Sequence, residues 1–278
     1  MNRREFLKLG FGATAFAAGC RSPFFDSRKP IALQLWSINK IMWKEDPAKT
    51  FDAIREIGFD GVEFAGFNNL SAKEIAKLLK DAGLRGMGAH ISGEEAYTGD
   101  GLRKNLDFCA EAGIESMSNA WADFNSADEW RRFGRLMGEA ADEAKKWGLP
   151  ISIHNHCHEF TKVYGGVYAW DLLFSEASEA LQQQIDTSQV VNPGLDVVEQ
   201  LSKRRGRNFS IHMKENVPSE WGFFGVPPSD GGKMVKWQEV TAYLATEPGF
   251  SWYVIECERK PDSMKPPKYN YNFLTKLV

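Results

Sequence analysis

The sequence predicts a single (β/α)8 TIM barrel, a closed ring of eight parallel strands with a helix after each strand. Short apolar runs alternate with longer amphipathic segments from residue 30 onward, which is the pattern of βα units around a parallel sheet. Eight such units fit into about 250 residues, the usual size of this barrel. No glycine-rich phosphate fingerprint follows the first apolar run, so a dinucleotide-binding sheet has little support.

The predicted strands are short apolar runs bounded by polar or glycine-containing turns. They cover residues 31–36, 61–65, 84–90, 114–119, 150–156, 183–187, 209–214 and 252–258. Between them lie segments with apolar residues at spacings of three and four, which predict helices. One helix should begin at the capping residue Ser71 and end at Gly83, and another should begin at Asp46 and end at Gly58.

Composition excludes some classes of protein. A hydrophobic content of 43% and a charged content of 26% are typical of a globular protein with a sizeable core. The formal net charge of -3 gives no general attraction to nucleic acid or to an anionic membrane surface. We therefore expect a small-molecule partner and no nucleic-acid partner.

Residues 1–20 predict an export signal that precedes the barrel of residues 30–278. Arg3 and Arg4 stand before an apolar run at residues 9–18, which is too short to span a bilayer and is typical of the twin-arginine route. Cys20 ends a segment that also resembles a lipoprotein signal, although Ala17 stands where leucine is usual. We expect export to the periplasm, or membrane anchoring through a lipid on Cys20. An amphipathic N-terminal helix is the alternative.

Polar side chains collect where the predicted strands end. All five histidines lie at or just past such ends, and Asp186 and Glu256 end the sixth and eighth strands. A barrel brings these ends together around one mouth. The histidines in question are His90, His154, His156, His158 and His212.

Imidazoles and carboxylates around an open mouth suit one divalent metal ion such as Mn, Co, Mg or Zn. Such an ion can polarise a carbonyl group while a nearby carboxylate moves a proton. Each residue also has a structural interpretation: a strand-end histidine can bond to the backbone, Asp186 can cap the following loop, and Glu256 can pair with an arginine.

The strand-end fragments resemble the sugar phosphate isomerase/epimerase superfamily, whose fold is a xylose isomerase-like TIM barrel. The resemblance covers nearly all of residues 30–278 and rests on LQLWSI, GFDGVEFAG, GAH, HNHCHEF, IDTSQVVNPGLD, IHMKE and VIECE, in this order. It implies one metal ion held by a Glu, an Asp, a His and a Glu from the fifth to eighth strands. Asp186, His212 and Glu256 match the last three places, and Glu256 would also move a proton.

The fifth strand departs from this pattern, because His154 stands where the epimerases have a glutamate. Either Glu159 supplies the carboxylate, or His154 or His156 replaces it. We expect Glu159 to be both a metal ligand and a catalytic residue, His156 to move a proton, and His154 to contact the substrate.

The resemblance also places residues around the metal. Glu63 and His90 match positions that usually face the substrate. Lys214 matches a lysine that commonly follows the metal-binding histidine, and we expect it to be a catalytic residue. Trp36 can stack on a sugar face, as can Trp121, Trp221 and Phe224, or each can simply pack in the barrel.

Three kinds of function remain open. The first is a metal-dependent isomerase or epimerase that abstracts a proton next to a carbonyl of a non-phosphorylated sugar, because phosphorylated sugars are scarce outside the cytoplasm. A histidine beside the metal would instead suit a dehydratase or a keto-glycoside lyase. The third is a non-catalytic sugar-binding lipoprotein. The negative charge disfavours an endonuclease of the related barrel family.

Overall fold

The computed structural model describes residues 28–42, 46–215, 222–227 and 231–278. The predicted export signal, with Cys20, and the aromatic residue Trp221 lie outside these residues. The strands of the described residues are β1 (Ile31–Gln34), β2 (Gly61–Ala65), β3 (Arg85–His90), β4 (Met117–Asn119), β5 (Ile151–His154), β6 (Val163–Tyr164), β7 (Val167–Tyr168), β8 (Gln182–Asp186), β9 (Ser210–Met213) and β10 (Trp252–Ile255).

Eight of these strands form a closed parallel barrel in the order β1-β10-β9-β8-β5-β4-β3-β2, and β6 and β7 pair as a separate antiparallel hairpin. The predicted (β/α)8 barrel is therefore confirmed. The helices that surround it are α1 (Asn39–Met42), α2 (Pro47–Ile57), α3 (Ala72–Ala82), α4 (Gly99–Ala112), α5 (Ala127–Lys145), α6 (Ala169–Ser175), α7 (Thr187–Val191), α8 (Val197–Ser202), α9 (Trp237–Leu244) and α10 (Lys265–Leu274).

Helix ends follow the capping residues that the sequence predicted. The Glu74 backbone N–H donates to the Ser71 hydroxyl at the start of α3, and the Ser71 backbone N–H donates to the Glu74 carboxylate, which is a capping box. Gly83 ends α3 with φ of 66°, in the left-handed region that glycine tolerates best. These capping residues determine where α3 begins and ends, and therefore where the chain enters the next strand.

The barrel strands are almost completely buried, because helices cover their outer face and side chains fill the interior. A register shift between β2 and β3 falls at Val62 and Glu63, and such irregularities re-aim a side chain. Gly88 on β3 makes room at this point, since a Cβ there would lie 2.5 Å from the Ser116 hydroxyl and 3.4 Å from Glu63 Oε1. This local arrangement lets a carboxylate sit inside the barrel.

Within the described residues, no helix combines the length and the apolar character needed to cross a membrane.

Candidate functional site

Four buried side chains meet at the carboxyl end of the barrel, one from each of four neighbouring strands. His154 is the last residue of β5, Asp186 is the last residue of β8, His212 lies in β9, and Glu256 directly follows β10. Each offers a nitrogen or oxygen atom within 4.8 Å of those offered by the other three. We call these four residues the ligand group.

His212 is held between two carboxylates. Its Nδ1 lies 2.7 Å from Glu256 Oε2, and its Nε2 lies 2.6 Å from Glu63 Oε2. Burial alone would lower the pKa of His212, but the two carboxylates outweigh burial and raise the pKa to about 10. The orientation of the imidazole is therefore fixed by one hydrogen bond at each nitrogen.

Glu63 lies beneath the ligand group and is completely buried. Together with Gln34 and Gln184, to which it bonds, it forms what we call the buried layer. Its Oε2 accepts a hydrogen bond from Gln34 Nε2 at 2.6 Å, and its Oε1 accepts one from Gln184 Nε2 at 2.7 Å. Burial would raise the pKa of Glu63, yet the neighbouring imidazoles of His90 and His212 lower it to about 2. Although the resemblance implies that Glu63 faces the substrate, the side chain does not line the cavity described below. It holds His212 in the way that outer carboxylates hold metal-binding histidines.

Asp186 and His154 each have a buried polar atom that makes no hydrogen bond within the described part of the chain. Asp186 Oδ1 accepts from the backbone N–H groups of Ser188 and Gln189, at 2.9 and 3.2 Å, so this residue does cap α7. Asp186 Oδ2 and His154 Nδ1 make no hydrogen bond with the described residues, although the Lys214 ammonium group lies 3.4 Å from Asp186 Oδ2. Because buried polar atoms are nearly always satisfied, these two fit a metal ion, and a set of imidazoles and carboxylates suits Mn, Co, Zn or Mg.

Lys214 follows β9 and lies beside the ligand group. Its Nζ is 2.9 Å from Glu258 Oε1, 3.4 Å from Asp186 Oδ2 and 3.6 Å from Glu256 Oε1. Burial would lower the pKa of this ammonium group, but the three carboxylates outweigh burial and raise the pKa. In turn, the pKa of Glu256 lies well below its usual range despite burial, with Lys214 as the largest favourable cause. Lys214 therefore helps to keep the Glu256 carboxylate ionised.

Glu159 lies apart from the ligand group, contrary to the position expected from the sequence. β5 ends at His154, two residues earlier than predicted, and the chain then turns into a 3-10 helix at His158–Phe160. The carboxylate of Glu159 points back under this turn, where Oε2 accepts from the His156 backbone N–H at 2.8 Å. Burial raises the pKa of Glu159 well above its usual range. The turn thus carries Glu159 away, and His154 occupies the fifth-strand place in the ligand group.

His156 lies next to the ligand group, beside His154. Its ring centroid lies 5.0 Å from that of His154 and 4.7 Å from that of Trp121, which it meets edge-on. Burial lowers the pKa of His156 to about 4, so the ring is neutral near pH 7. A neutral imidazole has an unprotonated ring nitrogen that can accept a proton from a bound molecule, although the lowered pKa makes it a weaker base than an ordinary histidine.

Two members of the ligand group, His154 and Glu256, line a cavity of about 490 Å³ at the barrel mouth. Its most buried lining residues include His154 and Glu256, whereas Trp36 and Trp121 are each 52% exposed and form its outer part. His90 also lines the cavity, and its Nε2 lies 2.8 Å from the Oε1 of Gln184.

Glu258 lines the same cavity, although no argument from the sequence assigned it to the site. The sequence does contain evidence for the position of Glu258, because side chains two residues apart on an extended segment point to the same side. Glu256 and Glu258 have this spacing at the end of β10.

Phe224, by contrast, is completely buried and stacks on Trp237 with ring centroids 4.4 Å apart. It packs in the protein interior and does not line the cavity.

Solved structures with a similar fold span several activities. A sugar phosphate isomerase/epimerase from Parabacteroides distasonis ATCC 8503 has a TM-score of 0.74 at 20% identity, covering 90% of this chain and 98% of that chain. A D-allulose 3-epimerase from Methylomonas sp. has a TM-score of 0.63 at 15% identity, covering 90% and 98%. A family 2 AP endonuclease from Brucella melitensis has a TM-score of 0.62 at 16% identity, covering 85% and 97%. At these identities the likeness establishes the fold and leaves the reaction open.

No curated protein matches the chain. Residues 51–276, most of the chain, match the family described as xylose isomerase-like TIM barrel. Together with the closed barrel and the polar group at its carboxyl end, this match shows that the protein belongs to the xylose isomerase-like TIM barrel family.

Proposed function

We propose that this protein is a metal-dependent isomerase or epimerase that moves a proton next to a carbonyl group of a non-phosphorylated sugar. The observation that carries the proposal is the ligand group, which gathers two imidazoles and two carboxylates at the carboxyl ends of four neighbouring strands. The active residues of (β/α)8 enzymes lie at this end of the barrel. Two of its members, His154 and Glu256, also line a cavity of suitable size for a small molecule.

A divalent ion would be held by His154, Asp186, His212 and Glu256. When bound, such an ion polarises a carbonyl oxygen and so acidifies the neighbouring C–H bond. Here His154 replaces Glu159 in the ligand set expected from the sequence. With two imidazoles among four ligands, the group favours Co, Zn or Mn over Mg.

His156 and Glu256 are the cavity-lining groups placed to move a proton. His156 is neutral and can accept one, and Glu256 is kept ionised by Lys214 and His212. Glu159 has no part in the proton transfer, although its hydrogen bond to the His156 backbone fixes the loop that carries this histidine. Lys214 and Glu63 act as positioning residues.

Charge around the cavity supports a sugar without a phosphoryl group. Among the described residues that line the cavity none is lysine or arginine, whereas Glu256 and Glu258 are acidic. Phosphoryl groups are usually recognised by arginine, lysine or backbone N–H groups at a helix start. The lining therefore favours a neutral substrate.

A second candidate is elimination by a dehydratase or a keto-glycoside lyase. One observation favours it: the end of β5 and the turn after it bring two imidazoles, His154 and His156, to the site and no carboxylate. Epimerisation by two carboxylates on opposite faces of a sugar would need a second glutamate at this place. A histidine can instead remove a proton while a neighbouring leaving group departs.

The test is proton exchange in deuterated water. Metal-loaded protein is incubated with free sugars, 3-keto sugars and glycosides, and NMR locates the deuterium. We expect incorporation at a carbon next to a carbonyl, with isomerisation, epimerisation or elimination distinguished by the product. The same protein after chelation is the control. No exchange with any compound, combined with no bound divalent metal, would leave the non-catalytic sugar-binding protein as the better interpretation.

We also propose that residues 1–20 direct export, with a lipid on Cys20 as anchor. The paired arginines and the apolar run that precede Cys20 support this proposal. Fractionation of cells that express the full chain should place the protein outside the cytoplasm, and replacing Arg3 and Arg4 by lysine should retain it inside. Replacing Cys20 by serine should release it from the membrane fraction. Unchanged fractionation of both variants would contradict the proposal.

A further inference from the structure

Two indole rings line the outer part of the cavity, and neither belongs to the ligand group. Trp36 follows β1 and Trp121 follows β4, and both are 52% exposed. The cavity of about 490 Å³ lies within the range of about 300–1,000 Å³ for small-molecule sites. A single pyranose ring seated against the ligand group would fill its inner part only. Space therefore remains beside the two indoles.

The backbone of Trp36 and the indole ring of Trp121 are each held by residues near the ligand group. The Trp36 backbone N–H donates to Gln34 Oε1 at 3.0 Å, and the Gln34 amide also bonds within the buried layer beneath the ligand group. Trp121 packs against the rings of His156 and His158, with centroids 4.7 Å apart in each pair. A tryptophan that is braced yet half exposed presents a flat apolar face, on which the C–H face of a sugar or an aromatic ring can stack.

We propose that Trp36 and Trp121 form a second subsite and that the substrate is a two-ring carbohydrate. This inference rests on the proposed function, because the first ring is the sugar placed at the ligand group. The second ring is neutral, since no lysine or arginine lies among the described lining residues and Glu258 stands at the same cavity. It is either the second sugar of a disaccharide or an aromatic aglycone, which share a flat ring with an apolar face.

Binding of matched ligands tests the subsite. Calorimetry compares methyl glycosides of glucose and galactose with the corresponding phenyl glycosides and with cellobiose and lactose. In at least one series we expect the two-ring ligand to bind roughly tenfold more tightly than its methyl counterpart, the sum of two stacking contacts. A preference for the phenyl glycoside identifies an aromatic aglycone, and a preference for the disaccharide identifies a second sugar.

Variants separate stacking from general effects. Trp36→Ala and Trp121→Ala should each remove roughly 2- to 10-fold of the two-ring preference and change methyl glycoside affinity much less, whereas Trp121→Phe should retain most of it. Trp147→Ala is the matched control, because Trp147 is also half exposed, at 43%, but follows α5 before β5 begins, away from the carboxyl end of the barrel.

Equal affinity for one-ring and two-ring ligands in the unaltered protein would overturn the subsite, as would a preference that both alanine variants retain. Metal content and deuterium exchange with monosaccharides are measured on the same preparations. If bound metal and deuterium exchange are both found while the two-ring preference is missing, the subsite fails and the proposed function stands. If the preference is present while metal and exchange are missing, the proposed function fails and the subsite stands.

Discussion

The two halves of the barrel mouth contribute different chemistry. The half formed by β5, β8, β9 and β10, here the ligand half, supplies the four buried residues of the ligand group. The half formed by β1 to β4, here the recognition half, supplies the exposed indoles of Trp36 and Trp121 above a buried layer that contains Glu63. Among the described residues of the barrel strands, a buried imidazole atom and a buried carboxylate atom without a hydrogen bond occur in the first half, at His154 and Asp186, and flat apolar surface occurs in the second. This division separates a reacting centre from a surface that selects what reaches it.

Hydrogen bonds across the barrel axis join the two halves. Glu63 of the recognition half accepts from His212 and Gln184 of the ligand half, and Gln184 Oε1 lies 2.8 Å from His90 Nε2. The buried layer thus positions the ligand half from the opposite side of the barrel. Substitutions on either side should therefore have effects of different kinds and sizes.

The largest effect should come from the ligand half itself. Asp186→Asn replaces a charged ligand by a neutral amide, and we expect metal content to fall below a tenth of its value with activity reduced more than about 100-fold, beyond the 10- to 100-fold typical of outer-layer changes. Elemental analysis measures the metal, and circular dichroism checks the fold.

Asp196→Asn is the matched control for this variant. Asp196 likewise starts a helix, α8, where it accepts from the Glu199 backbone N–H at 3.1 Å, but it lies outside the ligand group. Equal metal content in both asparagine variants would exclude Asp186 as a ligand.

Removing His156 should leave the metal in place and slow the reaction. His156→Ala deletes the neutral imidazole in front of the ligand group, so we expect turnover to fall by roughly 10²- to 10⁴-fold, the usual contribution of a general base. His158→Ala is the control, because His158 makes a 2.8 Å hydrogen bond from Nε2 to the Ala122 carbonyl and does not line the cavity. Loss of metal in His156→Ala would make His156 a ligand.

The barrel and the meeting of Asp186, His212 and Glu256 could be anticipated from the sequence, because strand ends in a parallel barrel converge whatever the loops do. The place of Glu159 could not, because it depends on β5 ending at His154 and on the turn that follows. The inward position of Glu63 depends on a register shift and on space at Gly88. Such features arise from packing between strands far apart in the chain, and no local pattern reports them.

A smaller effect should come from the recognition half. Glu63→Gln weakens the acceptor of the His212 Nε2 hydrogen bond, so we expect metal affinity to fall about 10- to 100-fold while the ligand group stays complete. Titration with Mn measured by electron paramagnetic resonance gives the affinity. Glu247→Gln is the control, because Glu247 is also buried but bonds to the backbone of Gly206 and to Asn208. Unchanged affinity in Glu63→Gln would show that the two halves are not coupled through Glu63.

The smallest effect is expected for Glu159, and it concerns stability. Glu159 lies in the ligand half but neither belongs to the ligand group nor moves a proton. Burial raises its pKa in the folded protein above the ordinary 4.5. Between these two pKa values the unfolded chain has released the proton and the folded chain has kept it, so this residue's contribution to stability falls as the pH rises through that window. Glutamine keeps an acceptor for the His156 backbone N–H and cannot ionise.

Glu159→Gln should therefore raise the melting temperature of chelated protein at pH 8 by no more than a few degrees, since about 1 kcal/mol corresponds to about 2–4 °C for chains near this size. At pH 4 the two proteins should melt together. Differential scanning calorimetry at both pH values makes the comparison. A variant that melts below the unaltered protein at pH 8 would mean that the folded protein holds Glu159 as a stabilised carboxylate, which would contradict the raised pKa.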